Sequence, residues 1–279
     1  MRKTILLVAI ALVSMIAQAQ VLKVVSMQKV TTSNTEGGTI VGISPKGDYL
    51  LITDANERGL QRYDLATKKL TTITKEDGAG AYAKISQDGS TITYRKRIYD
   101  SSKLVRFDVM QYNTQTRKAS VVAKQQAGTE MMVDVKSQLT VSVNTDLYLV
   151  LNHNGKRVVM APNGNEYRYN WPSISPDGSK ILYYVSGKGC YVCDINGKNV
   201  KFIARNCRAA QWYDNNTIVG MADEDDGHDF TASALVVYTL DGKSQTLVTK
   251  DKLAMYPHVA KGKVAFSTPK GEMYLLSVK

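Results

Sequence analysis

The run Asp223-Glu224-Asp225-Asp226-Gly227-His228-Asp229 holds the densest set of metal-binding side chains in this sequence. Alternate carboxylates around a glycine can wrap a hard cation such as Ca²⁺, which takes several oxygen ligands. Asp223, Asp225 and Asp229 are the expected ligands, although the spacing does not match an EF-hand loop. The competing reading is a solvated acidic loop closed by a turn at Asp226-Gly227. Three histidines, His153, His228 and His258, could serve a metal; of the three cysteines, Cys190, Cys193 and Cys207, the first two sit three apart on a strand and are not expected to act as a Cys-x-x-Cys redox pair. Neither a Gly-x-Ser-x-Gly elbow nor a His-Glu-x-x-His zinc motif occurs. Aromatic residues and arginines form a further set: Tyr82, Tyr167, Tyr169, Trp171, Arg205, Arg208 and Tyr256. Flat faces beside guanidinium groups can hold a sugar ring, a peptide or a protein loop.

Two recurring columns must position these residues. The first is an opening turn: ISPKG at 43–47, ISQDG at 85–89 and ISPDG at 174–178. Ser, Pro, Asp and Gly suit successive positions of a type I turn. An apolar strand follows each, as in Ile181-Leu182-Tyr183-Tyr184. Degenerate copies are read at Val133-Asp134-Val135, at 212–216 and at 259–262. The second column is another hairpin turn: Thr67-Lys68, Thr116-Arg117, Gly155-Lys156, Gly197-Lys198 and Gly242-Lys243. Each period of about 43 residues therefore holds four short strands, which is the spacing of a β-propeller. Six periods predict an all-β chain: a six-bladed β-propeller of four-stranded antiparallel blades over 20–279. The last repeat stops at its third strand, and Leu22 to Met27 has no blade of its own. That N-terminal strand is expected to complete blade six, because both ends would otherwise leave open edges.

Ser-Pro-Asp-Gly before an apolar strand, followed by a second hairpin, resembles the TolB-like β-propeller repeat. The likeness is strong in blades one, two and four and weak in three, five and six. It implies a stand-alone exported propeller, without the additional N-terminal α/β domain of TolB. It also implies two kinds of role: a periplasmic scaffold that binds protein partners, or the propeller of a peptidase or polysaccharide lyase. The peptidase role lacks its hydrolase domain here. The lyase role implies a metal held by several histidines at the propeller mouth.

The first residues, MRKTILLVAIALVSMIAQAQ, carry a basic start, an apolar run and a small-x-small cleavage site at Ala17-Gln18-Ala19. Residues 1–19 therefore read as a signal peptide, with export to the periplasm or the medium. The apolar run is too short to span a bilayer, so no transmembrane segment is expected. Net charge is +11, or +9 without Arg2 and Lys3. Outside the cytoplasm that charge would meet an envelope protein or a glycan rather than nucleic acid. The chain is read as a monomeric binding module, with a glycan-active enzyme as the alternative.

Within the propeller, Tyr82, Trp171, Tyr256 and His258 are expected just before first strands, at the mouth opposite the turns. Arg208 is expected beside them, and packing between blades is the competing use for the aromatics. His153 is placed in the second hairpin turn of blade three, on the face opposite His228 and His258, which would forbid a three-histidine site. Cys190 and Cys193, three apart on a strand, should point to opposite faces. Cys207 could bond to either across a hairpin, or all three could be buried thiols. No cofactor is required, with Ca²⁺ at the acidic run as the one candidate.

Overall fold

The computed structural model describes residues 22–32, 38–54, 56–126 and 139–279. Residues 1–19, read from the sequence as a leader, and the repeat copy read at 133–135 lie outside the described residues. The described residues form 23 strands and one 3-10 turn. Strand β1 spans Val24–Val30. Blade one holds β2 (Gly38–Ile43), β3 (Tyr49–Asp54), β4 (Leu60–Asp64) and β5 (Leu70–Thr74). Blade two holds β6 (Lys84–Ile85), β7 (Thr91–Tyr99), β8 (Val105–Asn113) and β9 (Lys118–Gln126). Blade three holds β10 (Leu139–Val143), β11 (Leu149–His153) and β12 (Lys156–Met160). Blade four holds β13 (Tyr169–Ile174), β14 (Lys180–Val185), β15 (Gly189–Asp194) and β16 (Lys201–Ala204). Blade five holds β17 (Arg208–Trp212), β18 (Thr217–Asp225), β19 (Phe230–Thr239) and β20 (Ser244–Val248). Blade six holds β21 (Met255–Ala260), β22 (Lys263–Ser267) and β23 (Met273–Val278). Each blade is an antiparallel meander, and together they make a six-bladed propeller.

The opening turns fold as their residues dictate. In blade four, Ser175 Oγ donates to Asp177 Oδ1 at 2.6 Å and accepts from Lys180 N–H at 2.9 Å. Gly178 N–H closes the turn on Ser175 O at 2.9 Å, with Gly178 at φ +74°. A glycine occupies that left-handed position without a Cβ penalty. Donors from Ser175 and Ser179 hold the Asp177 carboxyl well below its ordinary pKa. Gly47 and Gly89 close the same turn in blades one and two.

β1 closes the ring. The blade-six order is β1-β23-β22-β21, with Val24 paired to Val278 and Ser26 to Ser277 across a bulge. Lys23 N–H donates to Lys279 O at 2.8 Å and Lys279 N–H to Lys23 O at 2.9 Å. Leu22 and Val30 bury their side chains at the two ends of this strap. The residues between them are largely exposed, as suits an outermost strand.

Blade three departs from the expected repeat in two ways. Its opening turn, between β10 and β11, is at Asn144. Asn144 Oδ1 takes the serine's place by accepting from Asp146 N–H at 3.1 Å and Tyr148 N–H at 2.8 Å. Its Gly155-Lys156 hairpin joins the second and third strands, β11 and β12, rather than the third and fourth. Residues 161–168 then form a loop where other blades have an outer strand. Buried tyrosines pin that loop: Asn163 N–H donates to Tyr169 Oη at 2.9 Å, and Tyr183 Oη donates to Asn163 Oδ1 at 2.9 Å.

The core is built from the contacts between neighbouring blades. Leu182, Val192, Ala210 and Ile218 pack blade four against five, while Val264, Leu276 and Leu235 pack six against five. Among the described residues, no helix is long and apolar enough to cross a membrane.

Candidate functional site: an aromatic mouth on one face of the ring

In an antiparallel meander, the connections alternate between the two ends of the blade. The opening turns share one face with the hairpins joining third and fourth strands. The links between second and third strands, and the crossovers between blades, share the other face, here called the mouth.

The aromatic column sits at a backbone irregularity of the innermost strands. The pairing of β13 with β14 slips between Asn170 and Ser173, and that of β21 with β22 slips between Met255 and His258. Trp171 and Tyr256 occupy these bulges with φ +48° and +50°, inside the first strands rather than before them. Tyr82, at φ +60°, holds the same place just ahead of β6. Ala209, at φ +48°, holds it in β17, where the pairing slips between Arg208 and Gln211. A bulky L-residue in the left-handed region costs about 1–2 kcal/mol. Bulges re-aim side chains near functional sites. Here the result is three large rings on one face, with Tyr82 55%, Trp171 36% and Tyr256 41% exposed.

Arg208 links the rings of blades four and five. Its guanidinium carbon lies 5.5 Å from the Trp171 ring centroid and 5.8 Å from that of Phe230. Its Nη1 donates to Asp223 Oδ2 at 2.6 Å. Asp223 is buried, and its other oxygen, Oδ1, is also buried and has no hydrogen-bond partner. Asn206 fixes the Asp223 backbone, donating to its carbonyl at 2.8 Å and accepting from its N–H at 3.2 Å. Tyr184 meets Trp171 edge-on at 5.5 Å, and burial raises the Tyr184 pKa. Phe230 and Tyr256 continue into a cavity of about 420 Å³, shared with Thr39, Thr268 and Lys270. The mouth therefore carries a strip from Trp171 through Arg208 and Phe230 to Tyr256, ending in a pocket.

Tyr82 belongs to a second cluster. Arg95 lies 4.3 Å from the Tyr82 centroid and 4.2 Å from that of Phe107, and only 4% of Arg95 is exposed. Tyr169 is wholly buried in blade four, and Tyr167 lies 5.6 Å beneath Lys188. Arg205 is exposed.

His258 lies within β21, not before it. Its Nε2 is 3.1 Å from Ile40 O, which ties blade six to blade one. Burial and the nearby Lys84 charge pull its pKa down to about 4 against the bond to Ile40. Lys84 itself keeps an exposed surface while the surrounding protein lowers its pKa.

The histidines do not divide between the faces as their sequence positions suggest. His153 ends β11, in the link between second and third strands, so it lies on the mouth face with His228. The Gly155-Lys156 signal looks alike whichever strands it joins. Among the described residues, no three His, Cys, Asp or Glu side chains are grouped to hold a metal. In the acidic run, Asp223 and Asp225 belong to β18 rather than to a loop. Asp225 Oδ1 accepts from Gly227 N–H at 3.1 Å, and Asp226 Oδ1 accepts from His228 and Asp229 N–H, each at 2.9 Å. Backbone donors hold Asp226 below its ordinary pKa.

Sequence reasoning missed Phe230 and the Arg208–Asp223 pair. The sequence does not mark that pair; it follows from the pairing of β17 with β18, where Arg208 faces Met221 and Asp223 follows on the same side of the strand.

No family model matches this chain, and no curated protein matches it by sequence. Solved structures do. A putative TolB from Agrobacterium tumefaciens aligns with a TM-score of 0.58 at 17% identity, over 88% of this chain and 90% of that one. An oligogalacturonate lyase in complex with manganese aligns at 0.55 and 18% identity, over 88% and 77%. TolB from Acinetobacter baumannii aligns at 0.53 and 15% identity, over 85% of this chain and 55% of that one, so this chain spans about half its length. What these similarities show is a shared β-propeller fold.

Proposed function

We propose that this chain is an exported binding module of the TolB-like repeat type, holding an envelope protein or a glycan at the mouth. One observation carries the reading. Tyr82, Trp171 and Tyr256 keep exposed rings on strained left-handed backbone at equivalent places in three blades. Ala209 takes the same left-handed backbone in blade five but is small and buried, so the bulge belongs to the repeat, and what sets the other three blades apart is a large ring left exposed there. Trp171, Arg208, Phe230 and Tyr256 form the contact strip, and the pocket beside Lys270 takes a ring or a side chain of the partner. His258 supports this floor from within. Export rests on the leader-like first residues, and a single chain suffices for the site.

The test is direct binding. A glycan array and a pull-down from envelope extract, each with the wild type and Trp171→Gly, identify the partner class. Loss of capture in the variant supports the mouth; unchanged capture places the partner elsewhere.

A second reading has its own observation. Asp223 is a buried carboxylate with one unpartnered oxygen, beside Arg208 and Tyr184. Groups so placed also serve proton transfer. A glycan-active enzyme would use them on a sugar lying against Trp171. Turnover of any polysaccharide by the wild type, lost in Asp223→Asn, would select this reading.

A further inference from the structure

We propose that Cys190 and Cys207 form a disulfide that staples blade four to blade five, leaving Cys193 a free buried thiol. Cys190 lies on β15, and Cys207 lies in the crossover that leads from β16 to β17. The two belong to one buried cluster with Leu182, Val192 and Ala210. All three cysteines are free and buried in this structure, and the Cys190 thiol donates to the Cys207 carbonyl in a close contact. The Cys207 sulfur fills the space above Gly220 on the neighbouring strand. A Cβ on Gly220 would come within 2.6 Å of Cys207 Sγ, so only glycine fits opposite it.

Cys193 is excluded by its face. It packs in the cluster with Tyr183, Ile181 and Val185 on the other side of blade four. Burial pushes its thiol up to about 12.

Burial also pushes the Cys207 thiol well above its ordinary range. Thiolate is the attacking species in disulfide chemistry, so the folded cluster resists oxidation from outside. The bond therefore forms while the chain folds, before the cluster closes. One cysteine thiolate attacks a sulfur of an oxidant disulfide and releases one thiol of the oxidant. The second cysteine thiolate attacks the mixed disulfide and releases the other. Two protons leave the protein, and two electrons reduce the oxidant, a small-molecule or protein disulfide. An oxidising exported compartment supplies such species.

The test needs no assumption about export. The chain is unfolded with reductant, refolded in mixed oxidised and reduced glutathione, and quenched by alkylation. Peptide mapping without reduction should show one Cys190–Cys207 cross-link and alkylation at Cys193 alone. The oxidised protein should melt at a higher temperature than the reduced one. Cys193→Ser should keep that difference, and Cys190→Ser and Cys207→Ser should abolish it. Three alkylated cysteines, or a cross-link that includes Cys193, would overturn the proposal. The mapping uses the wild-type chain, so it decides the pairing even where a variant fails to fold.

Discussion

Arg95 and Arg208 occupy matching settings and do different work. Each lies between two aromatic rings on the mouth face, Tyr82 and Phe107 for one, Trp171 and Phe230 for the other. Arg95 sits about 4 Å from both rings and is buried, and burial lowers its pKa. Arg208 sits more than 5 Å from both, keeps 31% of its side chain exposed and is held by Asp223. The first arrangement is tighter: both rings lay a face on a buried cation, although Tyr82 keeps 55% of its surface exposed. The second is open and oriented, with a carboxylate fixing the guanidinium while ring faces remain in water. A cation between rings can thus serve packing or, as we propose for Arg208, binding, according to its spacing and exposure.

The largest effect should fall on both clusters together. A chain beginning at Thr32 loses β1, with the buried Leu22 and Val30 and a full set of pairings to β23. Burying two such side chains contributes roughly 3–6 kcal/mol, comparable with a whole domain's stability. Chemical denaturation should show a collapsed midpoint or aggregation through the bare edge of blade six. A truncated chain of native stability would break the closure. Next, Arg95→Ala should cost about 3 kcal/mol, by cavity formation and loss of two cation–π contacts. Partner capture by the surviving folded protein should change little. Strong loss of capture with unchanged stability would mean that the Arg95 cluster is the binding device.

Acid should act on the seam between blades six and one. A free histidine titrates near 6.5, and folded His258 near 4. As pH falls, the unfolded chain takes up the proton first. The stability held by neutral His258 is therefore complete above about pH 6.5 and drains between there and about pH 4. The shift corresponds to about 3 kcal/mol at most, and residual solvent contact lowers this to about 2. Denaturation midpoints across that window should fall in the wild type and flatten in His258→Gln. A parallel slope in both would assign the acid sensitivity to other groups.

Much of the ring was legible because its signals are local. Ser44, Ser86 and Ser175 encode the turn through their own hydroxyls, so three blades announce themselves in a few residues each. Closure was legible by counting strands. Blade three was not, because Asn144 performs the serine's task with a different side chain, and buried tyrosines replace a strand. The Arg208 site was half legible. The residue types marked Trp171, Tyr256 and Arg208, but the bulges that aim them depend on how β13, β17 and β21 pair with their neighbours. Nor does any tryptophan or tyrosine signal a left-handed backbone by its own preference.

The smallest expected effects on stability are the most informative for function. Trp171→Gly removes a ring that is 36% exposed but also relieves the left-handed backbone at φ +48°. Glycine adopts that conformation freely, so lost contact area is offset by about 1 kcal/mol of released strain. The midpoint of unfolding should move by less than about 1 kcal/mol. Arg208→Lys keeps a cation beside the buried Asp223 while losing the planar face between the rings, and should cost about as little. Both should nevertheless weaken partner binding by tenfold or more, about 1.4 kcal/mol, because each strips a flat surface from the strip. Calcium should do nothing measurable in the same assay. Asp223 holds Arg208 through Oδ2 and is buried, and Asp225 and Asp226 already serve loop amides. A melting temperature raised by millimolar calcium, and no longer raised in Asp225→Asn, would restore the cation site and turn the Arg208–Asp223 pair into part of its support. Unchanged binding in both Trp171→Gly and Arg208→Lys would make the open cluster a packing device like the tighter one, and the contrast between the two arginines would then reduce to distance alone.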